Sequence, residues 1–428
     1  MSFCSALWFM LCSHGVEIYY APLILQGSSL WLDCALCGTF QSFMQDYSQV
    51  VLQTETCNCL ASVGPDIWET LPGDRKVLCV TLLLGLARAP GNGETREDEI
   101  SVRMASIRTL GILCCYPSLR EDILFLMDVG DVIIDALKDP EIRIKASWTL
   151  SNFAETLFEL RKNNLAVVAE VPHTFLCSVG NATNALQNDK NQVRANAVRA
   201  LGCMLYFLTP ENLEHESIQQ FAREAVNVLL KSLQATLMKV RWNACYAIGS
   251  ALDNNDLIEG NVIDTAPLFN GLLVSLRNCV NFKVRIRAAA ALTVPSSRAT
   301  YGDMFGNVLR GILIALTAAE QSVDYKELQH QEKLREQLCL SICHLLATME
   351  DRDISEVELL VTNSEECIRD SFRKVAAKQC LLQPMRRAYH AVEAIGRPAR
   401  LYAFANTLVS ELEDTFDLSP HISNIDIR

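Results

Sequence analysis

The stretch Asp189 to Gly202, reading DKNQVRANAVRALG, constrains this chain more than any other because it recurs. Aligned on an apolar residue followed by Arg, the phrase returns at Val102-Arg103, Ile142-Arg143, Val193-Arg194, Val240-Arg241 and Val284-Arg285. The Arg-to-Arg intervals are 40, 51, 47 and 44 residues, and a weaker copy follows 50 residues later at Leu334-Arg335. Intervals in this range mark two-helix HEAT-type units whose loops absorb the variation.

Each copy has the period of a helix. Val193 is followed by Ala197, Ala200 and Leu201; Val240 by Ala244, Ala247 and Ile248; Val284 by Ala288, Ala291 and Leu292. These positions form one stripe, and the small side chains on it let a neighbouring helix come close. A second amphipathic segment separates successive copies: Arg120 to Lys138, Ala166 to Gln187, Ile218 to Gln234, Pro267 to Arg277 and Met304 to Ala318. These are expected as the outer helices of each pair. Glu99, Asp139, Asp189 and Asn281 stand ahead of inner helices, where a carboxylate or amide suits an N-cap or first-turn position.

The Arg beside the packed stripe has two readings. In the favoured one, Arg103, Arg143, Arg194, Arg241 and Arg285 form a structural ladder, each reaching the acidic turn of an adjacent repeat. The forked guanidinium suits such pairing better than an ammonium. In the other, the arginines bind a ligand anion.

Composition supports helices. The 428 residues are 50% hydrophobic, with only 13 Pro and 19 Gly. A net charge of −12 argues against a nucleic-acid partner. The 17 cysteines are odd in number and irregularly spaced, and Cys203, Cys245, Cys339 and Cys343 fall at apolar helical positions. Free thiols used as small hydrophobes imply an intracellular site, cytoplasmic or nuclear. Residues 3–12 lack the features of a secretory leader, and the apolar run Val77 to Ala87 is too short to cross a bilayer, so no membrane partner is expected.

No chemistry-bearing constellation emerges. Cys34 and Cys37 form a C-x-x-C, but the nearby Cys57 and Cys59 are too tightly spaced for tetrahedral chelation. Cys114-Cys115 reads as packing. Gly91-Asn-Gly93 begins a dinucleotide-type loop that Arg96 breaks. Cys343 and His344 are neighbours on a helix, so their side chains diverge by about 100°. Hence no catalytic, cofactor-binding or metal-binding residues are expected, and no cofactor. Trp148 and Trp242 lie on inner helices, as core or as groove lining.

Beyond a generic repeat, the blocks RKVLCVTLLLGLA (75–87), QVRANAVRALG (192–202), KVRWNACYA (239–247) and NFKVRIRAAAALTVP (281–295) resemble the HEAT repeat-containing protein 6 family. The resemblance covers roughly residues 50–320 and implies an all-α α-solenoid, or superhelix, of about six to eight stacked helix pairs, with no catalytic residues to carry over. That family has a longer N-terminal portion, inside which this chain would begin. The expected organisation is an atypical apolar segment at 1–38, the solenoid at 39–350, capping helices at 351–413 and an acidic flexible tail at 414–428. The basic run Arg373 to Arg400 belongs to those caps.

The expected function is a non-enzymatic scaffold. Its concave inner-helix face would hold a protein partner near Asn196, Arg199, Asn243 and Lys283. The alternative is an importin-like transport receptor or a regulatory subunit binding basic cargo.

Overall fold

A stripe of small residues repeated at helical spacing allows helices to stack in register, and the computed structural model of the protein is built that way. It describes residues 39–46, 49–88, 96–163, 165–321, 328–376, 380–396 and 398–422. Among them are helices and no strands, so the chain is an all-α solenoid of HEAT type. The C-x-x-C at Cys34 and Cys37, the Gly91-Asn-Gly93 turn and the segment 1–38 lie outside the described residues.

The chain divides into two units, Met1–Phe207 with His215–Phe221, and Leu208–Glu214 with Ala222–Arg428. The first holds α1 (Thr39–Gln45), α2 (Val50–Leu60), α3 (Gly73–Arg88), α4 (Arg96–Leu113), α5 (Ile123–Ala136), α6 (Arg143–Asn163), α7 (His173–Asn184) and α8 (Asn191–Phe207). Helix α9 (Glu216–Ser232) gives residues 216–221 to the first unit and 222–232 to the second. The second unit continues with α10 (Met238–Leu252), α11 (Thr265–Asn278), α12 (Phe282–Ala291), α13 (Phe305–Gln321), α14 (Leu328–Thr348), α15 (Ile354–Val375), α16 (Leu382–Ala394) and α17 (Ala399–Ile422).

Within the first unit the inner helices α2, α4, α6 and α8 pack in succession, while α3, α5 and α7 form an outer row. Close approach between α4 and α6 has a visible cause. A Cβ on Gly111 would lie 2.8 Å from the Thr149 hydroxyl, so only glycine fits. Hydroxyl and amide side chains then stitch one inner helix to the next. Thr109 donates to Cys57 O at 2.9 Å, Thr149 to Ile107 O at 2.9 Å, Thr156 to Cys114 O at 3.1 Å and Asn152 to Gly111 O at 3.1 Å. Each such bond satisfies a polar side chain that would otherwise be costly to bury.

The outer row uses glycine differently, as a socket. Gly130 on α5 faces the Phe175 ring of α7, and Gly180 on α7 faces Phe221 of α9; an added Cβ would come within 2.3 Å and 2.6 Å of those rings. In the second unit, Gly271 and Gly311 receive Leu233 and Leu273 in the same manner. There the inner helices α10, α12, α14 and α16 pack in order, and α11, α13, α15 and α17 form the outer row. Ala291 of α12 sits against Gly249 of α10, the role expected of the alanine stripe.

Two boundaries differ from those read in the sequence. The outer segment at Ala166 to Gln187 is broken, with a single turn at Leu165–Val168 and α7 starting only at His173. Pro172 between them has no amide hydrogen and cannot continue the first turn. At the other end, α17 runs on to Ile422, well into the stretch read as an acidic tail. Its glutamates are anchored: Glu411 binds Arg369 and Arg373, and Glu413 binds Arg386 at 2.6 Å. Three arginines near or within the basic run are thereby neutralised within the protein.

Candidate functional site

A repeat array has no single cleft to inspect, so the surface left over after stacking is the place to look. The arginine of each repeat is largely used up in structure. Arg103 Nε donates to Ala87 O at 3.3 Å, Arg143 Nε to Leu137 O at 2.6 Å, Arg241 Nε to Ala235 O at 2.6 Å and Arg285 Nε to Leu276 O at 2.9 Å. The Ala87, Leu137 and Leu276 carbonyls lie at the C-terminal end of the preceding outer helix, where the last turn lacks intrahelical donors and favours a cation, and Ala235 follows such a helix by three residues. A reach to the next repeat's acidic turn occurs at Arg103, with Asp139 at 3.8 Å and Asp135 at 3.5 Å, and at Arg143, with Asp189 at 2.9 Å. Arg241 instead turns an Nη towards the Cys279 sulfur at 3.9 Å, and Arg285 stacks over Phe282. Arg194 keeps its Nε buried without a hydrogen bond. The ladder runs within repeats more than between them.

Arg143 makes the fullest set of these contacts, adding an Nη2 bond to Lys138 O at 3.1 Å. Arg143→Met is expected to lower thermal stability by about 1–2 kcal/mol, since three acceptors near a helix end lose their donor. Arg143→Lys should restore only part of this, because one ammonium cannot span the fork. Equal melting of all three proteins would contradict the role.

The four residues expected to meet a partner do not behave alike. Asn196 donates to Ser147 Oγ at 3.1 Å, bridging α8 and α6. Arg199 binds Glu155 at 2.8 Å, with side chains 43% and 29% exposed. Asn243 is only 3% exposed, so the expectation that it presents a free polar surface is corrected: α10 turns that position into the stack. Lys283 alone is fully on the surface.

What the sequence left undecided, the structure groups. In the second unit, Trp242 and Tyr246 lie parallel on α10, 6.4 Å apart with planes 6° from each other. Arg287 of α12 covers both rings, 4.7 Å and 5.4 Å from their centroids. All three side chains are half-buried. Cation–π contact of this kind holds a guanidinium in place and leaves its donors available. The first unit has a related group in which Phe158 meets Tyr206 at 4.2 Å and Arg161 covers Tyr206 at 5.5 Å. Trp148 is also half-buried on α6.

Further along the inner row of the second unit, α12, α14 and α16 border a cavity of about 260 Å³, lined in part by Gln337, Leu340, His344, Pro384 and Arg387. His344 Nε2 donates to Pro295 O at 2.9 Å, which leaves Nδ1 as an acceptor. Burial holds His344 below the ordinary histidine pKa, with the carbonyl bond opposing that in part.

The cysteines stay in packing roles. Cys57 and Cys59 are buried, and burial pushes both thiols up to about 12. Cys203, Cys245, Cys339 and Cys343 are buried as well. Cys115 departs from the packing expected of the vicinal pair, being exposed just past the end of α4. Among the described residues there is no group of three or more His, Cys, Asp or Glu placed to hold a metal ion, and no helix long and apolar enough to cross a membrane.

Comparison with known proteins adds little identity. No protein-family model matches the chain. An uncharacterised protein of Dictyostelium discoideum is 22% identical over 432 residues, covering 76% of this chain and 28% of that protein. The chain thus spans little more than a quarter of that relative's length. A chain of the Kap95p–RanGDP structure matches 95% of this chain with 55% of its own, at 14% identity and a TM-score of 0.47. The Kap121p crystal structure matches 98% with 46% of its own, at 14% identity and 0.43. The repeat period and the helix pairing are what make the fold a solenoid.

Proposed function

We propose that the protein is a non-enzymatic HEAT-repeat scaffold that holds a protein partner along the open stripe of its inner helices. The observation that carries this reading is the Trp242–Tyr246–Arg287 cluster. Its aromatic rings and guanidinium join α10 to α12 while staying half-exposed, and Tyr, Trp and Arg are the residues that dominate binding energy at protein interfaces. The polar groups nearby do not converge as nucleophile, base and orienting partner, which is what an active site would require. The alternative of basic cargo is not favoured on these helices, because their surface stripe is itself cationic.

Affinity purification with the full chain tests the proposal. Trp148→Ala combined with Trp242→Ala is expected to lose partners that the parent chain retains, with circular dichroism and melting confirming that both proteins stay folded. An unchanged partner set from a folded double variant would remove the inner-helix surface as the binding face.

A further inference from the structure

We propose that the inner-helix surface of the second unit takes an acidic, extended protein segment carrying a large apolar side chain; this rests on the scaffold reading and names the chemistry of its partner. The first observation is a lysine column. The residue two before the repeat Arg is Lys239 on α10, Lys283 on α12 and Lys333 on α14, and all three are exposed. In the first unit that same repeat position holds Ser101, Glu141 and Gln192, so the column belongs to one unit only. Because α10, α12 and α14 pack in succession, equal repeat positions place the three ammonium groups in one row.

The second observation is that these charges form no ion pairs and that two of the three helices carry no acid. Helices α10 and α12 contain no Asp or Glu. Among the described residues, Lys239, Lys283, Arg287, Lys333 and Arg387 form no ion pair, whereas Arg298, Arg310, Arg369, Arg373, Lys374 and Arg386 of the same unit are each paired with a carboxylate. A chain with net charge −12 has acids to spare, yet α10 and α12 carry none, and the only ones on α14 are Glu332 and Glu336, near Lys333. Unpaired like charges in a row repel one another, and an acidic segment relieves that repulsion while gaining attraction.

The third observation gives the segment its apolar element. Arg287 on α12 holds the same repeat position as Gln337 on the adjacent α14, and Gln337 lines the cavity of about 260 Å³ on α14 and α16. Its walls combine Leu340, Ala347 and Pro384 with Gln337, His344 and the exposed Arg387 at the rim. An apolar side chain fills the walls while flanking carboxylates meet Arg387 on one side and Arg287 on the other.

Fluorescence anisotropy of the full chain with a labelled peptide of alternating Glu-Phe and Glu-Leu pairs tests this. The probe should bind, and Lys239→Glu with Lys283→Glu and Lys333→Glu should weaken it about tenfold or more, three lost attractions being replaced by repulsions. Raising the salt should weaken it too. The same charge change at the exposed Lys138, Lys162 and Lys190 of the first unit should leave binding within about threefold, since none of them holds the column's repeat position. Arg387→Glu alone gives a second, single-site variant on a surface position. No binding, or equal binding by the triple variant, overturns the proposal. So does a single-stranded oligonucleotide of matched charge that binds more tightly and is lost with the same lysines, which would make nucleic acid the occupant. If the probe fails while Trp148→Ala/Trp242→Ala still loses partners, the acidic partner falls and the scaffold stands. If that double variant loses none, the scaffold reading falls.

Discussion

Asp353→Ala is expected to destabilise the second unit by about 3–5 kcal/mol, the cost of removing one member of a buried ion pair. Arg298 and Asp353 are each 8% exposed and joined by two bonds of 2.7 Å, Nε to Oδ2 and Nη2 to Oδ1. Both groups make further polar contacts. Arg298 Nη1 donates to Gly302 O at 2.7 Å and its plane covers Phe305, while Asp353 accepts the Glu350 amide at 2.9 Å. Deleting the carboxylate strands a guanidinium in the core, which is why the loss should exceed that from any surface pair. Arg298→Met with Asp353→Leu should recover much of the stability by removing both charges together. Amide exchange through α13 and α15, with thermal melting, measures the effect. A loss under about 1 kcal/mol would place the pair among the surface bridges.

The same pair sets a pH dependence. Burial alone would raise the Asp353 carboxyl, but the Arg298 hydrogen bonds and charge outweigh it and hold the group below its ordinary value of 3.8. A carboxylate depressed in the folded state contributes fully above its unfolded pKa. Its contribution is lost as pH falls through the folded value. Acid destabilisation of this unit should therefore begin near the ordinary carboxylate range and be absent at neutral pH. Asp353→Ala should flatten that limb.

A comparable loss, about 3–5 kcal/mol, is expected for Phe221→Ala, whose ring is fully buried in the Gly180 socket of the first unit. The socket itself gives a sharper test. Alanine favours a helix over glycine by about 1 kcal/mol, so Gly180→Ala would stabilise α7 if space allowed. Three ring atoms of Phe221 would lie 2.6, 2.6 and 2.9 Å from the new Cβ. Overpacking of that order costs about 1–3 kcal/mol, so the substitution should be net destabilising. In the Phe221→Ala background the clash is gone, and Gly180→Ala should turn neutral or stabilising. Additive effects on chemical denaturation would show that the ring does not occupy the socket.

How much of this the sequence disclosed depends on which groups leave a mark in it. The alanine stripe and the Arg spacing are side-chain features, so the helix pairs were legible from them. The acceptors of Arg241 and Arg285 are backbone carbonyls at Ala235 and Leu276, which no residue type announces. Acid partners were therefore expected where only two arginines have them. Asn196 and Asn243 share a repeat position and were read as surface, yet that position borders the neighbouring inner helix: Asn196 bonds across to Ser147 and Asn243 is buried. Lys239, Lys283 and Lys333 stood in the sequence at a fixed offset all along. What gives them meaning is that they form no ion pairs and that α10 and α12 bring no acid beside them, which only the fold shows. The glycine sockets were hidden for a related reason, because the side chain that fills each one lies a whole repeat or nearly so away.

In the proposed scaffold, binding resides on the inner-helix stripe and the rest of the array serves to hold it. Affinity purification of the full chain tests it most directly when three proteins are compared: the parent, Trp148→Ala/Trp242→Ala on the inner helices, and Ile314→Ala/Leu359→Ala at exposed apolar positions on the outer row. The inner-helix variant is expected to lose partners while the outer-row variant retains the parent's set. Loss from the outer-row variant with an intact set from the folded inner-helix variant would contradict it.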